Sequence, residues 1–83
     1  MIIREPIDDA VDELFAALKP EMINSEIIDV EYDIAMGEPY SAITTLLSIA
    51  GYLKHSEMVE KNLHFLEEDD REEYAERYLN RRA

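Results

Sequence analysis

Apolar residues recur at helical intervals along most of this chain, and patterns typical of strands are nearly absent. Pro6 opens the first such segment, in the first helical turn where proline is tolerated, and the pair Lys19-Pro20 ends it. Aliphatic residues spaced four, three and four apart line one face of this predicted helix, and acidic residues fill the other. The aliphatic positions are Ile7, Val11, Leu14 and Leu18, and the acidic positions are Asp8, Asp9, Asp12 and Glu13.

A second helical segment runs from about Pro20 to Met36, and Gly37 suits the left-handed conformation that ends many helices. The positions expected to face inward are Ile23, Ile27, Val30 and Ile34, and those expected to face outward are Glu26, Asp29 and Asp33. The pair Asn24-Ser25 could instead cap a fresh start, because both side chains compete for backbone hydrogen bonds inside a helix. The sequence leaves open whether residues 20–36 form one helix or two.

Three further helices are predicted after Pro39. The third is apolar around much of its girth, which is typical of a helix that its neighbours surround. Ser56 is the expected N-cap of the fourth, and Asp69 and Asp70 are expected to open the fifth, because each is followed three residues later by Glu as in a capping box. The apolar positions are Ile43, Leu46, Leu47, Ala50 and Leu53, then Met58, Val59, Leu63 and Leu66, then Tyr74, Tyr78 and Leu79.

The expected fold is therefore all-α, a compact array of four to five short antiparallel helices that forms a single domain over residues 1–83. Arg77, Arg81 and Arg82 are expected near the C-terminus of the last helix, where positive charge suits the helix dipole.

Charge is the strongest clue to function. Twenty acidic residues against eight basic ones give a formal charge of −12, with eleven carboxylates in residues 1–38 and nine in residues 57–76. So much like charge favours solubility and fast association with a basic partner. The chain has no cysteine, no apolar signal-peptide core at its start and no run of about 20 apolar residues, so a cytoplasmic location is expected.

The residues that carry catalytic or metal chemistry lack the required spacing. His55 and His64 are nine residues apart without a zinc-binding frame, and the acidic run 67–70 lacks the alternation and the glycine of a calcium loop. The serines lie without a nucleophile elbow, and the two glycines form no phosphate loop. Only residues 77–83 are basic enough to meet phosphates. We therefore expect no enzymatic activity, no metal, no cofactor, no direct nucleic-acid binding and no membrane association.

Residues 28–47, IDVEYDIAMGEPYSAITTLL, resemble the centre of small helical immunity proteins with which bacteria guard themselves against their own toxins, especially the Maf-type immunity group. In that group a helix ends in a Gly-Glu or similar turn, here Gly37-Glu38, and the next helix begins with an aromatic residue and an Ala-aliphatic pair, here Tyr40 and Ala42-Ile43. The link at residues 53–56 departs from the group in being shorter and less acidic. The resemblance implies a cognate basic toxin domain as partner, commonly a nuclease.

The expected contact surface combines tyrosines with carboxylates around the Gly37 turn, since aromatic anchors and charge pairs dominate many binding interfaces. The predicted partner-binding residues are Glu26, Asp29, Tyr32, Asp33, Glu38 and Tyr40. Three other interpretations stay open: a helical interaction or regulatory domain, for example a homodimer; a nucleic-acid mimic; and an acidic face that is only solvated. A surplus of exposed apolar surface around Ile49, Tyr52 and Phe65 would support the first of these. The oligomeric state is not predicted.

Overall fold

The computed structural model describes residues 3–80, which form five α-helices and two short 3₁₀ helices and contain no strand. The α-helices are α1 (Pro6–Leu18), α2 (Asn24–Ala35), α3 (Pro39–Tyr52), α4 (Ser56–Asn62) and α5 (Glu68–Leu79), and the 3₁₀ helices are Lys19–Glu21 and Leu63–Phe65. The prediction of an all-α fold with four to five helices is confirmed. Arg81 and Arg82 lie outside the described residues.

The helices belong to two compact units, residues 1–46 and residues 47–83, and the boundary between the units lies inside α3. The first half of α3 supplies buried residues to the first unit, and its second half supplies them to the second. These are Ala42, Ile43 and Leu46 in the first unit, and Leu47, Ile49 and Ala50 in the second. The prediction of one domain over residues 1–83 stays a prediction.

Polar contacts fix the start of α1. The carboxylate of Asp8 accepts a hydrogen bond from the backbone N–H of Glu5 at 2.8 Å, and the guanidinium of Arg4 bridges Asp9 at 2.9 Å and Asp12 at 2.6 Å. The hydrogen bonds from Arg4 to these two carboxylates raise its pKa. The helix buries the predicted face except for Ile7, which is only half-buried. The buried residues of α1 are Ala10, Val11, Leu14 and Leu18.

The segment from Pro20 to Met36 is not one helix, so the alternative of a fresh start is the correct one. Pro20 lies in the 3₁₀ helix, and the backbone is extended at Met22 (φ −92°, ψ 147°) and at Ile23 (φ −83°, ψ 162°) before α2 begins. Ile23 is the N-cap, rather than Asn24 or Ser25, because the carboxylate of Glu26 accepts the N–H of Ile23 at 3.0 Å. One side chain two residues inside the helix thus satisfies a donor at its start.

The end of α2 is as predicted. Gly37 has a φ of +69°, which glycine adopts without the steric cost that a Cβ imposes. Its N–H donates to the carbonyl of Ile34 at 3.1 Å, and the N–H of Glu38 donates to the carbonyl of Asp33 at 2.9 Å. This pair of bonds is a Schellman motif, which satisfies two carbonyls at the end of the helix.

Two predicted caps in the second unit are wrong. His55, not Ser56, is the N-cap of α4, and Glu67, not Asp69 or Asp70, is the N-cap of α5. Glu67 is extended (φ −63°, ψ 158°), and its carbonyl accepts the N–H of Arg71 at 2.8 Å, so the helix begins earlier than the capping-box spacing indicated. Asp69 and Asp70 then lie in the first turn, where negative charge still suits the helix dipole.

Aromatic packing joins α3 to α5 within the second unit. The hydroxyls of Ser48 and Tyr74 are hydrogen-bonded at 3.0 Å, and the rings of Tyr74 and Tyr78 meet edge to face with their centroids 5.5 Å apart. Gly51 lies so close to Tyr78 that a Cβ on Gly51 would overlap the ring. The predicted apolar side of the last helix is thus explained by contact with α3.

Candidate protein-binding surface

Only the middle of α2 is buried within the first unit. Val30 is its one fully buried residue and Ile27 is half-buried. Ile23 and Ile34 were predicted to face inward, but they are 64% and 40% exposed. Before the helix, the backbone is extended at Met22, and Met22 rather than Ile23 is buried, at 8% exposure.

Large apolar side chains are concentrated on the exposed part of this helix. Among the described residues, seven large apolar side chains are exposed, and five of them lie between residues 23 and 36. Ile28 is 62% exposed, Tyr32 62% and Met36 57%. Because these three residues recur every fourth position, they adjoin along one side of α2. We call Ile28, Tyr32 and Met36 the α2 ridge, and such a concentration of exposed apolar surface is typical of an interaction site.

A row of carboxylates borders the α2 ridge, at the positions that the sequence predicted. Glu26 and Asp33 are half-buried and have structural partners: Glu26 accepts the N–H of Ile23, and Asp33 accepts the hydroxyl of Ser41 at 3.0 Å. Asp29, between them, is exposed. Asp29 is therefore the member of the row whose charge is most available to a partner, while Glu26 and Asp33 also hold the two ends of α2.

The remaining predicted contact residues lie at or beside the Gly37 turn. Glu38 is exposed, whereas Tyr40, in the first turn of α3, is half-buried. The bonds of the turn hold Glu38 next to Asp33, and Asp33 in turn reaches Ser41, the neighbour of Tyr40. The structure thus gathers the predicted residues on α2 and its C-terminal turn, with Tyr32 as the exposed aromatic residue and Tyr40 partly packed.

Basic residues are absent from this whole region of the sequence, since neither Lys nor Arg occurs between Pro20 and Leu53. Residues 24–38 nevertheless carry five carboxylates. The two bases of residues 3–46 are both engaged on the α1 side: Arg4 bridges Asp9 and Asp12, and the ammonium of Lys19 lies 5.3 Å from the centre of the Phe15 ring. Within residues 3–46, no Lys or Arg thus neutralises the carboxylates beside the α2 ridge.

The sequence analysis did not include Ile28 and Met36 among the candidate contact residues. A signal for the ridge was present, because Ile28, Tyr32 and Met36 form a second apolar series at intervals of four residues, beside the first series that was assigned to the core. Of the three residues whose exposure would support an interaction or regulatory domain, one is exposed. Tyr52 is 82% exposed, but Phe65 is half-buried and Ile49 is buried at 9% exposure.

Two kinds of site are absent from residues 3–80. No three His, Cys, Asp or Glu side chains in this range are arranged to hold a metal ion. None of the described helices is both long enough and apolar enough to cross a membrane. The α2 ridge with its acidic border is thus the surface with the most distinctive physical character.

No protein-family model, no curated protein and no solved structure matches the chain. The similarity to immunity proteins therefore stays a prediction from the sequence.

Proposed function

We propose that this protein is an immunity protein that neutralises a basic bacterial toxin domain in the cytoplasm by binding it through α2 and the Gly37 turn. The single observation that carries the proposal is the exposed α2 ridge beside a row of carboxylates, in a region without any base. An apolar centre with a charged border is the usual anatomy of a specific protein interface. A nuclease domain fits the partner best, because surfaces that bind nucleic acid are basic.

A homodimer through the same surface is disfavoured by charge. Two copies would bring together two sets of five carboxylates from residues 24–38, with no Lys or Arg in either segment to neutralise them. Like charges that meet across an interface cost several kcal/mol. A basic partner removes this repulsion and also associates faster, because the electric field of the acidic chain attracts it.

A pure mimic of nucleic acid also fits less well. Such a mimic needs a surface of regularly placed negative charge, whereas large apolar side chains are exposed on α2 and at its C-cap, namely Ile28, Tyr32 and Met36. Apolar side chains of this size add binding energy only where a partner covers them and excludes water. The partner proposed here therefore has an apolar surface bordered by basic residues.

The first test is recovery of the tagged protein from its native cells in low salt, followed by mass spectrometry of what stays bound. Recovery of a basic protein in equimolar amount is the expected result. That protein should carry a toxic activity that the chain abolishes. Recovery of the chain alone, as a monomer or a homodimer, would favour a structural or regulatory role instead.

The second test uses charge reversal at the contact surface. Asp29→Lys should slow association with the recovered protein about tenfold at low salt and much less at high salt, because screening removes electrostatic steering. Asp33 is less suitable for this test because its carboxylate also binds Ser41. Glu72→Lys reverses a carboxylate on α5 that is also exposed, and it serves as the control. Equal effects of the two reversals would place the interface elsewhere.

A further inference from the structure

Glu31 occupies an unusual position on α2. Residues three and four positions away are neighbours on a helix surface, and for Glu31 all four are apolar. They are Ile27, Ile28, Ile34 and Ala35. The side chain of Glu31 is exposed, as are Ile28 at 62% and Ile34 at 40%. Glu31 is thus a carboxylate set among apolar neighbours on the exposed part of the helix.

Asp29 has the opposite surroundings on the same helix. Its neighbours at three and four positions are Ser25, Glu26, Tyr32 and Asp33, so three of the four are polar or acidic. At about 100° per residue, Asp29 and Glu31 lie about 160° apart around the helix axis, on the two sides of Tyr32. The two exposed carboxylates therefore differ in environment although they share charge and helix.

This difference has a consequence when a partner covers the α2 ridge. Asp29 stays on the acidic side, where water can still reach the interface border. Glu31 lies between Ile28 and Ile34 around the helix axis, so a partner that covers both of these exposed side chains also removes water from Glu31. A carboxylate that loses water without a positively charged partner destabilises the complex. A stable complex therefore needs a cation opposite Glu31, and guanidinium is the better choice because it is weakly hydrated and binds a carboxylate through two parallel hydrogen bonds.

Given the proposed function, we propose that Glu31 determines the specificity of the interface by pairing with an arginine that the basic partner holds within the apolar surface receiving the α2 ridge. Asp29 acts differently, at the border, by attracting the partner. Removal of a border charge changes mainly the association rate and its salt dependence, whereas removal of one member of a desolvated pair changes mainly the dissociation rate. The two residues thus have separable kinetic signatures.

The experiment compares Glu31→Gln with Asp29→Asn in the full chain, against the basic protein that co-purifies with the wild-type chain. Both changes remove one charge and keep the side-chain shape, and circular dichroism checks that both variants are folded. Glu31→Gln should raise the dissociation rate at least thirtyfold, which corresponds to about 2 kcal/mol at 1.4 kcal/mol per factor of ten, and the effect should persist at high salt. Asp29→Asn should slow association a few-fold at low salt only.

Other variants separate failure of this inference from failure of the proposed function. If Tyr32→Ala leaves binding unchanged, the partner does not use the α2 ridge and the proposed surface itself is wrong. If Tyr32→Ala weakens binding but Glu31→Gln leaves the dissociation rate unchanged, only the inference about Glu31 is overturned. Glu31→Leu is a third test. If this variant dissociates more slowly than the wild type, the partner's surface opposite position 31 is apolar and holds no cation, and the inference is overturned.

Discussion

Gly51 is where a single methyl group should have the clearest effect on stability. It lies near the end of α3, against the ring of Tyr78 on α5. A Cβ added to Gly51 would overlap the Cγ and Cδ1 atoms of that ring and would lie 2.8 Å from Cδ2. These atoms belong to the root of the ring, so the side chain cannot escape by moving its tip. Gly51→Ala must therefore displace Tyr78 or α5 itself.

Two opposing effects set the magnitude for Gly51→Ala. Alanine is favoured over glycine inside a helix by about 1 kcal/mol. Overpacking of a well-filled contact costs about 1–3 kcal/mol. Because the overlap here is with the ring root, we take the upper part of that range and expect a net loss of about 1–2 kcal/mol. For a chain of this size, each kcal/mol lowers the melting temperature by about 4–8 °C.

The assay is a double-mutant cycle in urea and in thermal unfolding, with wild type, Gly51→Ala, Tyr78→Ala and the double variant. With the ring removed, the helix preference alone remains, so Gly51→Ala should stabilise the Tyr78→Ala background by about 1 kcal/mol. The sign of the glycine substitution should therefore reverse between the two backgrounds. If Gly51→Ala also stabilises the wild-type chain, close packing against Tyr78 is not the reason that position 51 needs glycine.

Three further substitutions test other parts of the fold. Val30→Ala, at the one fully buried residue of α2, should lower the free energy of unfolding by about 2 kcal/mol and reduce amide protection in α2 first, as hydrogen exchange would show. Lys54→Gly should raise the free energy of unfolding by about 0.5–1 kcal/mol, because Lys54 has a φ of +68°, which glycine adopts at less steric cost. A lower free energy of unfolding in urea would refute this. Tyr74→Phe should cost about 1 kcal/mol through its bond to Ser48, and adding Ser48→Ala should cost little more in the same assay.

The helix content could be predicted from the sequence because apolar periodicity and proline placement agree in most segments. The residue at which a helix begins was harder to predict than the presence of the helix. At α2, Glu26 reaches back to the N–H of Ile23, and at α5 the extended backbone of Glu67 begins the helix before the two aspartates. In both places the cap is decided by which backbone donor or acceptor lacks a partner, and residue preferences at the cap do not reveal that.

The candidate surface was predicted in part, and the error there has a specific cause. A helix with two apolar series offers two possible inner faces, and the sequence does not say which one packs. The series that includes Val30 packs only at its centre, and the series Ile28, Tyr32 and Met36 stays exposed. At the start of α2, Met22 with its extended backbone is buried, whereas Ile23 is 64% exposed.

In the proposed complex, the two acids with structural partners would also affect binding, although indirectly. The carboxylate of Glu26 accepts a hydrogen bond from the N–H of Ile23 at the start of α2, and the carboxylate of Asp33 accepts one from the hydroxyl of Ser41 near its end. These contacts hold the helix in place although Val30 is its only fully buried residue, so its outer side can carry apolar residues that the fold itself does not use. A helix that is already formed loses less conformational freedom on binding than a segment that folds at that moment. Glu26 and Asp33 would therefore contribute to affinity by preorganising the α2 ridge, even where the charge that meets the partner belongs to Asp29 and Glu31.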